Sequence, residues 1–395
     1  MSLWRPSAPV RTTVGAVTTT IASVAPVFLV GGLAVQIGAE LDFSPAGLGV
    51  AVAIYFGVSA LTSVPAGALV ERFGPAVTAR AAILLAAGCL LAIAAAASYL
   101  MLVAVLALGA GANGLGQLSS NAALTRVPPG RQGLSFGIKQ SAIPLATLLA
   151  GVSVPAVALT LGWRWAFGFA AVAAIGALAL VPPDGRNGRR TPHRGRARAP
   201  RSGVGPLVVV GMAVALGAGS AGSLGTFMVD SAVTRGLAPG TAGLTLTLGS
   251  IACVATRVGG GALVDRRGRP GDVATVAVLM AAGAVGLALL AVPGTGALAA
   301  GVLLGFGFGW AFPGLVNVAV VQLHPHAPAA ATSITQTGVY AGGCLGPLAF
   351  GPVAAVHGYP TAWLGAAVAM LLAAGLILLG RQLLRPHRAA LASHR

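Results

Sequence analysis

Apolar residues along this chain fall into long blocks and do not alternate with polar ones. Twelve blocks, nearly free of charge, are separated by short segments rich in Gly, Pro and Arg. They cover 13–37, 46–70, 77–97, 100–124, 136–159 and 165–181, then 206–229, 241–264, 273–292, 298–321, 332–355 and 361–379. Each is close to the length of about 20 residues that an α-helix needs to cross a bilayer's hydrocarbon core. Hydrocarbon offers the backbone no hydrogen-bond partners, so an isolated apolar block of this length is predicted to be helical. The eleventh and twelfth blocks are the least regular, because Gly and Pro interrupt 342–352. Gly and Pro are common in membrane helices, where neighbouring helices satisfy the backbone again.

Composition sharpens this reading. Of 395 residues, 56% are hydrophobic and 8% charged, against about 25% charged in soluble globular proteins. So few charges cannot cover a water-soluble surface, which excludes a soluble enzyme, a disordered chain and a disulfide scaffold. The predicted fold class is an all-α membrane protein with twelve transmembrane helices. Cys89, Cys253 and Cys344 lie far apart in apolar blocks and read as small buried hydrophobes. Arg5 and Arg11 precede a block too long for a signal peptide, so the first helix is expected to stay as an anchor.

The net charge of +17 would suggest nucleic acid in a soluble chain. Its placement points instead to membrane orientation. With the N-terminus inside, 20 of the 24 basic residues fall in inside segments and their flanks. Only Arg164 and Arg235 lie outside, while Lys139 and Arg257 fall within blocks. Basic residues favour the cytoplasmic side. Both termini are therefore predicted cytoplasmic, in a multi-pass protein of the cell's inner (plasma) membrane. Residues 182–205, which hold seven arginines, read as a cytoplasmic linker that also touches anionic headgroups. They separate two six-helix bundles, 1–181 and 206–380, with a cytoplasmic tail at 381–395. No nucleic-acid partner is expected.

The two halves resemble each other. Gly67-Ala-Leu-Val-Glu71-Arg72-Phe73-Gly74 matches Gly261-Ala-Leu-Val-Asp265-Arg266-Arg267-Gly268 at an offset of 194. At an offset of 196, Gly109, Gly111 and Asn121 match Gly305, Gly307 and Asn317, Gln140 matches Gln336, and Gly162 matches Gly358. Two six-helix halves in parallel repeat are a recurrent transporter architecture. The duplicated Gly-x-x-x-Asp/Glu-Arg-x-Gly stretch, after the second and eighth blocks, resembles the signature loop of the major facilitator superfamily. The resemblance covers essentially the whole chain. The first copy departs from the family in Pro75, where a basic residue is usual, and in Glu71, where Asp is commoner; the second copy is closer.

A carboxylate at the C-terminal end of its own helix faces the negative end of that dipole, so Glu71 and Asp265 seek partners elsewhere. The resemblance implies that each loop latches onto the opposite half, Glu71 toward the eleventh span and Asp265 toward the fifth. Gly67 and Gly261 are expected to permit a close approach, and Arg72, Gly74, Arg266 and Gly268 complete the latch. The alternative is a solvated turn.

Charge inside a span is costly and usually functional. No carboxylate sits deep in a block: Glu40, Asp42 and Asp230 lie at predicted outer ends, and the other four are inside. All six histidines lie in loops, at block ends or in the tail. This disfavours a carboxylate-based proton antiport, although Glu40 or Asp230 remain titratable at the rim. Arg257 lies about seven residues, or roughly 10 Å of helix rise, from the inside end of its block, and Lys139 about one turn into the fifth. The resemblance makes spans five and eight neighbours, so that both cations face one cavity and favour an anionic ligand. The alternatives are that Lys139 snorkels to the cytoplasm and that Arg257 bonds backbone carbonyls. Gln36, Asn113, Gln140, Asn317, Gln336 and Tyr340 are candidates for the rest of the site. Interhelical hydrogen bonding is the alternative for each. Trp310 and Phe312 read as packing. No phosphate loop, metal spacing or nucleophile triad is evident, so no enzyme, cofactor or metal is expected. These readings converge on a monomeric secondary transporter that moves a small organic or inorganic anion by alternating access. Proton-coupled efflux of drugs or metabolites is the alternative, and a coupling ion is left open.

Overall fold

A computed structural model describes residues 8–125, 127, 132–183, 204–267, 273–316 and 328–393, and among these no strand occurs. The first span is the helix Ala8–Gly32, continued after a one-residue irregularity at Leu33 by Ala34–Leu41. Spans two to four are Pro45–Phe73, Pro75–Ala94 and Tyr99–Leu124. The fifth is built from Gln132–Gln140, Ala142–Ser153 and a π-turn at Val154–Ala158. The sixth is Trp163–Ala177, closed by a 3-10 turn at Leu178–Leu180. Spans seven to nine are Val204–Thr234, Pro239–Arg267 and Val273–Leu289. The tenth begins as Thr295–Leu304 and passes through a π-turn at Gly305–Gly309.

One helix, Pro328–Ser393, holds the last two spans, and the break between them is Gly358, at φ 81°. The helix runs unbroken through the Gly- and Pro-containing stretch 342–352, in keeping with a single span over 332–355. Its repeat equivalent Gly162 also has positive φ, at 98°. Both glycines make the turn into the last span of their half, a conformation that a Cβ would strain. Ten described helices are long and apolar enough to cross a membrane. The 49-residue Thr335–Leu383 accounts for two spans, and the shorter Ala274–Leu289 adds one more, which gives twelve.

The chain forms two compact units. The first comprises residues 1–43, 54–191 and 229–247; the second comprises 44–53, 192–228 and 248–395. In the first unit, span one packs against spans three, four, five and six. Gly32 lies so close to Ala150 of span five that an added Cβ would be 2.9 Å from the Ala150 Cβ. Further along span five, Gly151 meets the backbone of span eight: a Cβ there would be 2.5 Å from the Gly243 carbonyl and from Thr247 Oγ1. Spans five and eight are thus neighbours, as the family resemblance implied.

The second unit explains the glycines of 342–352. Gly338, Gly342 and Gly346 are spaced by four and form one face of span eleven. They lie against Gly211, Ala215 and Gly219, spaced by four on span seven. A Cβ at Gly342 would be 2.8 Å from the Gly219 nitrogen, and one at Gly346 would be 2.6 Å from the Gly219 carbonyl. Lipid tails are as apolar as Leu, so tight backbone packing replaces the hydrophobic effect as the force between helices. In span two, Gly49 and Pro45 meet Pro347 and Gly351 of span eleven in the same way. Large apolar side chains such as Leu61, Val172, Val356 and Leu371 are exposed, as lipid-facing surfaces require.

Gly342→Leu is expected to overpack this contact, at about 1–3 kcal/mol or more, and to lower the thermal unfolding midpoint in detergent. Gly365→Leu, at a glycine with open space around it, should leave the midpoint unchanged. Equal midpoints for the two variants would show that the paired small-residue faces do not hold spans seven and eleven.

Candidate functional site

In the first unit Lys139 is 2% exposed. It stands two residues before the irregularity at Ser141 that separates the first two helical pieces of span five. Its Nζ donates to Gln117 Oε1 of span four at 2.5 Å, so it does not snorkel to water. Gln140 beside it is half-buried and bonded. A polar chain crosses spans one, two and four. Tyr55 Oη donates to the Ser23 carbonyl at 2.8 Å, Ser59 Oγ bonds the carbonyls of Tyr55 and Ala110, and Asn113 Nδ2 donates to Ser59 Oγ at 3.0 Å. Asn113 is 1% exposed and its Oδ1 has no partner. Gln36 is more extreme: Nε2 and Oε1 are both sealed from solvent and neither makes a hydrogen bond. Buried polar atoms in native structures nearly always have partners, so each exception calls for a reason.

In the second unit Arg257 is 6% exposed. Its Nε and Nη2 donate to the Trp310 carbonyl at 3.1 and 2.5 Å. Trp310 caps the π-turn of span ten, where the regular ladder is interrupted, and the guanidinium bonds the carbonyl there. The backbone-carbonyl alternative for Arg257 is therefore real in this conformation. Tyr340 is buried and hydrogen-bonded to Gln336, one turn away on span eleven. Trp310 packs edge-on against Phe306 at 5.7 Å, and Phe312 is buried. Asn317 lies outside the described residues.

In the first signature loop Glu71 and Arg72 are exposed, and the Arg72 guanidinium lies 5.1 Å from the Phe73 ring centroid. Gly74, at φ 84°, turns the chain into span three. Around Gly67 the nearest described atom to an added Cβ is Leu118 Cδ1, at 3.9 Å. The close approach expected at Gly67 is thus not seen among the described residues, because this stretch of span two meets only a side-chain tip. Gly261 is half-buried. Asp265 and Arg266 fall in the last turn of span eight, but their side chains, like Gly268, lie outside the described residues.

The sequence treated Arg164 as a topological outlier, and the structure gives it a partner. Arg164 Nη1 pairs with Glu40 Oε1, and Nη2 donates to the Ala96 carbonyl at 2.7 Å. Trp163 Nε1 donates to Glu40 Oε2 at 2.6 Å, and the guanidinium stacks 4.4 Å from the Trp163 ring. This staple ties together the ends of spans one, three and six. The Trp163 hydrogen bond first, and then Arg164, hold the Glu40 carboxyl below its ordinary value near 4.5. Glu40 is thereby disfavoured as a proton carrier. The available signal was rarity: Glu40 is one of seven acids, and Arg164 is one of two basic residues in predicted outer segments.

A cavity of about 330 Å³ opens in the first unit beside Arg11, with Thr12, Thr19, Ser119 and Ser120 among its walls. None of the predicted solute-binding residues lines it. Among the described residues, the buried chemistry in the spans is hydrogen bonding and positive charge. A model of the Major Facilitator Superfamily matches residues 15–347. The chain belongs to the major facilitator superfamily. A bacterial homolog of the human lysosomal transporter Spinster, solved inward-facing and occupied, is similar to this superfamily member with a TM-score of 0.70 at 15% identity. The match covers 95% of this chain and 98% of that one. A mutant of the nucleoside transporter NupG gives a TM-score of 0.72 at 13% identity, covering 94% and 99%. At such identities the likeness shows the fold alone. A search of curated proteins by sequence finds no match. As a superfamily member the chain is a multi-pass membrane protein and a secondary transporter, not an enzyme.

The staple predicts an acid dependence. Because the Glu40 pKa is lowered in the folded state, its contribution is full above about pH 4.5 and disappears as pH falls through the depressed value. Glu40→Gln should lower the unfolding midpoint at pH 7, and the gap to the parent should close in acid. A gap that stayed constant from pH 7 to pH 3 would contradict the assignment.

Proposed function

We propose that this transporter moves a small anion, organic or inorganic, by alternating access. The observation that carries the reading is the burial of two cations within spans, Lys139 at 2% and Arg257 at 6% exposure. Among their partners are the neutral Gln117 Oε1 and the neutral Trp310 carbonyl. A carboxylate or similar oxyanion is a stronger acceptor for the same donors, and Arg presents a fork that matches it. Gln140, Gln336, Asn113, Asn317, Gln36 and Tyr340 make up the uncharged part of the proposed site. The loops after spans two and eight act as latches that set the balance of access states, with Glu71 and Asp265 as their charged members. Both termini face the cytoplasm, the protein sits in the cell's inner membrane, and the monomer is the working unit. Proton-coupled efflux is the second reading, and the engagement of Glu40 by Trp163 and Arg164 counts against a proton carrier at that rim.

In proteoliposomes, Arg257→Ala and Arg257→Lys should each cut flux of the transported anion by tenfold or more, since a point charge does not replace the fork. Normal flux in Arg257→Ala would end the anion reading. Asp265→Asn should slow flux at equal expression while insertion is retained. Parental rates in that variant would remove the latch.

A further inference from the structure

Among the described residues, the Arg11 guanidinium makes no hydrogen bond and no ion pair. The other described arginine side chains are engaged: Arg72 by the Phe73 ring, Arg80 by the Val181 carbonyl, Arg164 by Glu40 and Arg257 by the Trp310 carbonyl. Arg235 and Arg381 have partners as well. Arg11 stands instead at the cavity of about 330 Å³ in the first unit, whose walls come from spans one, three, four and six. It is the one charged residue of the described wall.

The cavity lies where those four spans end on one side. Arg11 is in the first turn of the apolar stretch Pro9–Gly32, and Pro75 opens span three. Ala123 is in the last turn of span four, and Val181 follows the sixth apolar stretch, Trp163–Leu180. At that level hydrocarbon gives way to headgroups. Arg80 Nη2 donates to the Val181 carbonyl at 3.1 Å and so fixes span six to span three at the wall. From Arg11 the wall runs inward to Thr19, eight residues or about 12 Å of rise along span one. There Thr19, Ser119 and Ser120 donate to the carbonyls of Gly15, Gly116 and Ala16. Their hydrogens are spent, which leaves Arg11 as the charged donor for an anion. Val10, Val14, Val77 and Leu180, each next in sequence to a wall residue, are exposed.

An unpaired guanidinium flanked by apolar side chains at the bilayer surface matches a molecule with an anionic head and acyl tails. Guanidinium and phosphate form charge-assisted pairs, and basic pockets between membrane helices take anionic headgroups. We propose that this cavity binds the phosphodiester headgroup of an anionic membrane lipid, with Arg11 on the phosphate and the acyl chains along the exposed valines and Leu180. The bound lipid joins the ends of spans one, three, four and six. Pro75, which stands where the superfamily usually has a basic residue, is part of the wall and leaves its charge to Arg11. Neither Lys139 nor Arg257 lines the site, which holds whichever solute is carried.

The test follows the unfolding midpoint of the full chain in nonionic detergent while phosphatidylglycerol is titrated into the micelles. The midpoint should rise, and Arg11→Gln should need about tenfold more lipid for half the rise. Ala123→Leu fills part of the cavity without changing charge, and it should weaken the response too. Arg381→Gln, which removes a charge outside the wall, should titrate like the parent. Phosphatidylcholine, with no net charge, should act equally on the parent and on Arg11→Gln. Equal phosphatidylglycerol titrations of the parent and Arg11→Gln would overturn the site. An equal loss in Arg381→Gln would reduce it to bulk charge, and a parental response in Ala123→Leu would move the lipid out of the cavity; either result overturns the proposal. Inorganic phosphate should leave the midpoint unchanged, and a rise matching that of the lipid would assign the cavity to a free anion instead. No transported solute is present, so the result is independent of anion flux.

Discussion

Hydrocarbon supplies no hydrogen bonds and no dielectric, and that constraint governs this protein from backbone to site. It forces every span into a helix whose ladder is complete. Where the ladder is broken, another group steps in. Ser153 covers the Ala150 carbonyl next to Pro155, and Arg257 covers the Trp310 carbonyl at the end of a π-turn. The same constraint makes each polar side chain in a span either bonded or costly. Lys139 finds Gln117, and Asn113 finds Ser59. Gln36 finds nothing.

The constraint also dictates how helices adhere. Burying Leu against Leu yields little when lipid is equally apolar, so close backbone contact does the holding. This is why 58 glycines are compatible with long helices here. Gly338, Gly342 and Gly346 give span eleven a flat face for span seven, and Gly151 and Gly243 let spans five and eight touch. Such contacts are short-ranged, so they hold only where the backbones touch.

Much of the architecture was legible beforehand. The twelve apolar blocks correspond to twelve spans, and the matched glycines Gly162 and Gly358 share a left-handed turn. The site was less legible. Their positions inside apolar blocks picked out Arg257 and Lys139 as buried cations but did not give their acceptors, because Gln117 and the Trp310 carbonyl lie 22 and 53 residues away in sequence. Glu40 and Arg164 stood out only by rarity, although they are 124 residues apart and joined. The run at 342–352, the least regular part of the eleventh block, stays helical. In water those residues would break a helix, but in a membrane they form its contact face.

The sequence by itself determined the solvent, the number of spans and the duplicated plan. Hydropathy and repetition are local properties, written in consecutive residues and scored against lipid. The tertiary structure alone decided which polar groups are satisfied and which helices touch through glycine. Those outcomes depend on distances between residues far apart in the chain. Gln36 reads in sequence as one more polar residue in a helix; only the packing leaves both polar atoms of its amide buried and without a partner.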